Sequence, residues 1–156
     1  MSDYRVVRCK TPAECETFAR NVEKEYPELA KAARRRAVEL RAAAQGATTE
    51  AELDALRAVC AFEEVRSQER GRRARANRTR RSFDQIGIVP TVEKIVARKK
   101  PTEGYAALVE SGMDDFTFEA VVLRHQESFS PAAIEQAIKR TNEHRVQPVV
   151  TGEAAP

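Results

Sequence analysis

The sequence predicts an all-α fold: an N-terminal helical hairpin, an exposed arginine-rich helix or connector, and a C-terminal bundle of short helices. Three observations carry this reading. Helix-start signals of the capping-box and proline types recur along the chain, and apolar residues return at spacings of three and four. The one β-branched stretch, residues 4–9 (YRVVRC), has no partner strand.

Residues 1–10 are therefore expected to be an extended arm. Residues 11–66 form the expected hairpin. Thr11, Pro12 and Glu14 supply a capping oxygen, a proline at the first helical position and a carboxylate three residues after the cap. That helix carries Cys15, Phe18, Ala19 and Val22 on one face and bends near Pro27, because proline disfavours helix at the residue before it. The next run has good helix propensity and a stop at Gly46. Its Arg34, Arg35 and Arg36 point about 100° apart and read as a solvated face. Thr49 and Glu52 repeat the capping box ahead of Ala55, Leu56, Val59, Phe62 and Val65, so a helix restarts after a short connector and packs antiparallel. The core of this half is mostly Ala, Leu, Val and Cys, too thin to be comfortable alone, so a homo-oligomer formed through the hairpin is expected.

Residues 67–82 are the basic connector, expected to be an exposed, frayed helix because nothing large and apolar lies between Arg66 and Ser82. From Phe83 the apolar stripe returns, residues 83–143 are expected to be a bundle of four short helices, and a fragment from Ser82 to Arg145 is expected to fold alone. Within it, residues 114–125 open with Asp114 and Asp115 and close with Arg124 and His125, the charge order a helix dipole favours. Ser130 and Pro131 start the last helix, with Phe129 positioned to pack on Ile134. Residues 144–156 are polar with interspersed prolines and read as a disordered tail.

Charge is unevenly spread. Residues 1–62 carry 11 Lys/Arg and 10 Asp/Glu, residues 63–100 carry 12 and 5, and residues 101–156 carry 4 and 9. A basic middle either meets an anionic partner or attracts the acidic end of its own chain. Met1-Ser2-Asp3-Tyr4 lacks a cationic-then-apolar leader, and no window of about 18 apolar residues occurs, so a cytoplasmic chain without membrane contact is expected.

No catalytic constellation is legible. The chain lacks a paired-histidine motif, a glycine-rich phosphate loop and a serine elbow, and adjacent acids such as Glu63-Glu64 and Asp114-Asp115 diverge on a helix and read as solvated. Cys9, Cys15 and Cys60 match no ligand spacing, and His125 and His144 lie far from them, so neither metal nor cofactor is expected. A helix-turn-helix reading of residues 103–122 is disfavoured because its second helix would turn Asp114, Asp115 and Glu119 toward phosphates.

The functional signal is the arginine run. GC-rich coding explains some of an excess of twenty arginines over seven lysines, but not seven arginines within positions 70–81. Arg70, Arg72, Arg73, Arg75, Arg78, Arg80 and Arg81 would radiate around a helix rather than form one flat face, and their guanidinium forks suit phosphate oxygens. Asn77 is the one residue among them suited to reading an adenine edge. The expected function is a small, non-enzymatic, nucleic-acid-associated accessory protein that binds through these eight residues. The alternative is an all-helical protein-protein interaction or oligomerisation module with no nucleic-acid partner.

Overall fold

Capping oxygens begin most of the helices that build the chain. The computed structural model describes residues 3–154, with side chains through residue 144. Every regular element among the described residues is helical, as the periodicity predicts. The chain divides into two units, Met1–Ala76 and Asn77–Pro156.

The N-terminal unit contains α1 (Tyr4–Val7), α2 (Pro12–Val22), α3 (Pro27–Ala43) and α4 (Glu50–Arg70). The expected extended arm is instead a turn of helix: the Asp3 carboxylate accepts from the Arg5 amide at 2.8 Å, and that local cap outweighs the β preference of Val6 and Val7. Residues 1 and 2 of that arm lie outside the described residues. Thr11 caps α2, whose Glu14 amide donates to Thr11 Oγ1 at 3.1 Å while the Glu14 carboxylate reaches back to the Lys10 amide. Thr49 caps α4 in the same way through the Glu52 amide.

Helix α3 packs on α1, α2 and α4. Its alanines allow the close approach: Ala30, Ala33, Ala37 and Ala42 are all fully buried. Val6 and Ala19 join Ala30 and Ala33, and Cys9 and Cys15 join Ala37. All three cysteines are buried free thiols. Burial, reinforced by the neighbouring Cys9, pushes the Cys15 thiol up to about 11, so it is packing rather than a reactive nucleophile. The arginine triplet is less solvated than its sequence suggests, since Arg36 Nε donates to the Cys9 carbonyl at 2.8 Å and Arg34 pairs with Glu23 at 3.2 Å.

The C-terminal unit contains α5 (Asn77–Ile86), α6 (Ile88–Val96), α7 (Glu103–Glu110), α8 (Phe118–Arg124) and α9 (Pro131–Ala154), with 3₁₀ turns at Asp114–Phe116 and Gln126–Ser128. Gly87, at φ 99°, is the single residue between α5 and α6, a conformation costly for any side chain. The expected helix over residues 114–125 is shorter than the sequence suggests. The Thr117 hydroxyl accepts from the Ala120 amide at 3.1 Å and starts α8 afresh, leaving Asp114 and Asp115 in the preceding turn.

Helix α8 packs against α6 and α9, and its Val121 and Val122 are both fully buried. Glu93 of α6 accepts from the Ser130 amide at 2.8 Å and from its hydroxyl at 2.6 Å, tying α6 to the start of α9. The backbone of α9 continues to Ala154, where a tail from residue 144 is expected. Residues 155 and 156 of that tail, and the side chains from residue 145 onward, lie outside the described residues.

Candidate nucleic-acid interface

The arginine run is neither one helix nor a tether. Gly71 adopts φ 68° and ends α4 at Arg70 in a left-handed cap, so the continuous connector helix expected over residues 67–82 is broken by a return segment, residues 72–76. The division between the two units then falls after Ala76, and each half of the run belongs to its own unit.

Three contacts hold the first half onto α4. The Ala74 amide donates to Ser67 Oγ at 2.9 Å, and Ser67 Oγ in turn donates to the Glu63 carbonyl at 2.6 Å. The Ala76 amide donates to the Glu63 carboxylate at 2.9 Å. Arg73 pairs with Glu64 at 3.5 Å and Glu16 at 3.8 Å. Glu63 and Glu64 are therefore not the solvated pair that adjacency suggests: they are 1% and 4% exposed. Their side chains diverge by about 100°, and that divergence is what lets Glu63 serve the returning amide while Glu64 serves cations.

Glu64 anchors a small charge network. Arg41 donates to Glu64 at 3.2 Å and to Glu16 at 2.6 Å, and Gln68 donates to Glu64 at 3.3 Å. Burial raises the Glu64 carboxyl above its usual range, and Glu16 adds to this, while Arg41 opposes it. Arg73 is thus paired with Glu16 of α2 and Glu64 of α4, where the sequence alone reads it as a solvated phosphate contact. Arg73→Ala is expected to cost the N-terminal unit about 0.5–1 kcal/mol, discounted for its partial exposure, whereas Arg72→Ala and Arg75→Ala each stay within about 0.5 kcal/mol. Urea midpoints of the three variants check this, and equal midpoints would return Arg73 to the free set.

Outward from this scaffold stand Arg70, Arg72 and Arg75, all exposed and forming no ion pair among the described residues. In the C-terminal unit, helical geometry sorts the second half of the run. Phe83 is the buried residue of α5. Arg78 and Arg81 lie about 140° and 160° around the helix from it and are exposed, again with no ion pair among the described residues. Arg80 lies only about 60° from Phe83 and is accordingly half-buried and engaged. Asn77 is exposed at the start of α5. Of the eight residues singled out in sequence, six therefore reach solvent unengaged, and Arg73 and Arg80 do not.

No group of three His, Cys, Asp or Glu residues among the described residues is arranged to hold a metal ion, and no helix among them is long and apolar enough to cross a membrane. Glu119, which a recognition helix would present to phosphates, is instead buried against Arg140 at 2.6 Å. Comparison of the chain with protein families, curated proteins and solved structures finds no match.

Proposed function

We propose that this chain is a non-enzymatic nucleic-acid-associated protein that contacts backbone phosphates through Arg70, Arg72, Arg75, Arg78 and Arg81. One observation carries the reading: within a twelve-residue run, five arginines stay exposed and unpaired among the described residues while their neighbours Arg73 and Arg80 are engaged. Guanidinium groups left free beside others that the fold uses are available for bidentate phosphate contacts. Because Ser67 and Glu63 fix the backbone of residues 72–76, Arg72 and Arg75 lose little backbone freedom on binding, which supports contact by a preformed segment rather than by a disordered arm.

The test is binding of the intact chain to labelled single- and double-stranded DNA and RNA over a salt series. Each phosphate neutralised on a duplex adds roughly −0.9 to the slope of log affinity against log salt, so four of these five arginines account for about −3 to −4. Asn77→Ala is expected to alter preference between sequences rather than the slope if a groove is entered. Absence of binding at low salt would leave the protein-interaction module as the reading.

A further inference from the structure

The basic middle of the sequence does not end at Arg81. Arg98, Lys99 and Lys100 follow Ala97, the C-cap of α6, and all three are exposed with no ion pair among the described residues. Cations after a helix C-terminus have an ordinary explanation, since they complement the last carbonyls at about 0.3–1 kcal/mol each. What sets this turn apart is how it is held.

Arg140 of α9 is 3% exposed and carries the turn from beneath. One terminal nitrogen donates to Glu119 at 2.6 Å. The other donates to the Arg98 carbonyl and, at 3.3 Å, to the Lys100 carbonyl. The Tyr105 hydroxyl, on the helix that follows, donates to the Arg140 carbonyl at 3.1 Å. With the carbonyls of residues 98 and 100 drawn inward, the three side chains stand in solvent on a fixed backbone. Pro101 restricts Lys100 further. Three adjacent cations with no intervening acid repel one another, and a rigid turn keeps them together at a cost that an anionic partner removes.

We infer that the turn bearing Arg98, Lys99 and Lys100 is a second phosphate-contacting surface for the same nucleic acid, with Arg140 as its positioning residue. The inference rests on the function proposed above and adds a place and a geometry to it. Arg78, Arg81 and this turn belong to one unit. Arg81 lies six residues before Gly87 and Arg98 eleven after it, so the path between them spans at most about 30 Å, less than one duplex turn of about 34 Å. The two sets therefore lie within the span of one short stretch of duplex, and the salt series below tests whether it engages both. The backbone share of the ordering entropy is already met in the fold, and only the rotamer freedom of the three exposed side chains is lost on contact.

The experiment compares the intact parent with Arg98→Ala/Lys99→Ala/Lys100→Ala and with a charge-matched control, Arg8→Ala/Arg20→Ala/Lys24→Ala, on a duplex of about 20 base pairs over a salt series. The substitutions leave the backbone carbonyls that Arg140 uses, so all three proteins are expected to melt alike. The parent's slope is expected nearer −6 than −4, the turn variant is expected to be shallower by about 2 and at least about tenfold weaker at intermediate salt, and the control is expected to match the parent within about twofold. A turn variant that binds like the parent overturns this surface and leaves the arginine run standing, as does a control that weakens equally, which would mean that only net charge matters. A parent that binds no nucleic acid, or that binds only anionic lipid vesicles, overturns both readings together.

Discussion

A chain carrying Arg72→Ala, Arg75→Ala, Arg78→Ala and Arg81→Ala is expected to lose about 10²-fold or more in duplex affinity between low and moderate salt conditions where the parent binds, and to melt within a few degrees of it. The expectation follows from which guanidinium groups the fold leaves unused. All four are exposed without ion pairs among the described residues, so their removal leaves no buried acid without a partner. Arg73 is omitted on purpose, because losing it disturbs Glu64 and Glu16 and would mix a folding defect with a binding defect. The loss is expected for every duplex sequence alike, with a flatter salt slope, since phosphate contacts position a protein without reading bases. Splitting the set is informative: Arg72→Ala/Arg75→Ala tests the N-terminal unit and Arg78→Ala/Arg81→Ala the C-terminal one. Anisotropy titrations at several salt concentrations, beside thermal melts, decide the matter. Unchanged affinity would end the phosphate reading, and loss of folding would make these arginines structural.

What the sequence made legible was local. Thr11 and Thr49 start helices where their capping signatures stand, because an Oγ1 and the amide three residues on are neighbours whatever the rest of the chain does. Even the failure at Asp114 is local in origin. Two carboxylates suit a helix N-terminus, but Thr117 is the better cap, and the helix begins there. The charged residues that the fold buries were illegible. Nothing near Glu63 in sequence announces that the Ala76 amide, thirteen residues on, will donate to it, and Glu119 and Arg140 are twenty-one residues apart. Charged residues on helices read as solvated until a tertiary partner is known, so the supports of both basic surfaces escaped a reading of stripes and caps. A weak signal was present: Ala74 and Ala76 interrupt the arginine run at alternate positions, the pattern of an extended segment with one inward face.

The buried pair in the C-terminal unit is where one substitution is expected to cost most. Arg140 and Glu119 have side chains 2% and 3% exposed and meet at 2.6 Å. Arg140→Met is expected to destabilise this unit by about 3–5 kcal/mol, because it strands a carboxylate in a nonpolar setting and frees the carbonyls of residues 98 and 100. Glu119→Leu combined with Arg140→Met is expected to recover most of that loss, since an apolar pair avoids the desolvation of two charges. Native-state hydrogen exchange of α8 and α9 amides reads the effect within the unit. Acidity supplies an independent check. Burial lifts the Glu119 carboxyl above its ordinary value of 4.5, and the Arg140 hydrogen bond only partly opposes this. The folded state then holds the proton more tightly than the unfolded chain between 4.5 and the raised value, so this group's contribution to stability is complete below 4.5 and is lost as pH rises through that window. Glu119→Gln cannot titrate, and its exchange protection in α8 and α9 is expected to lack this decline. Parallel pH curves for parent and variant would show that the Arg140 hydrogen bond offsets the burial of Glu119 in full, and its titration would then add nothing to the stability of this unit.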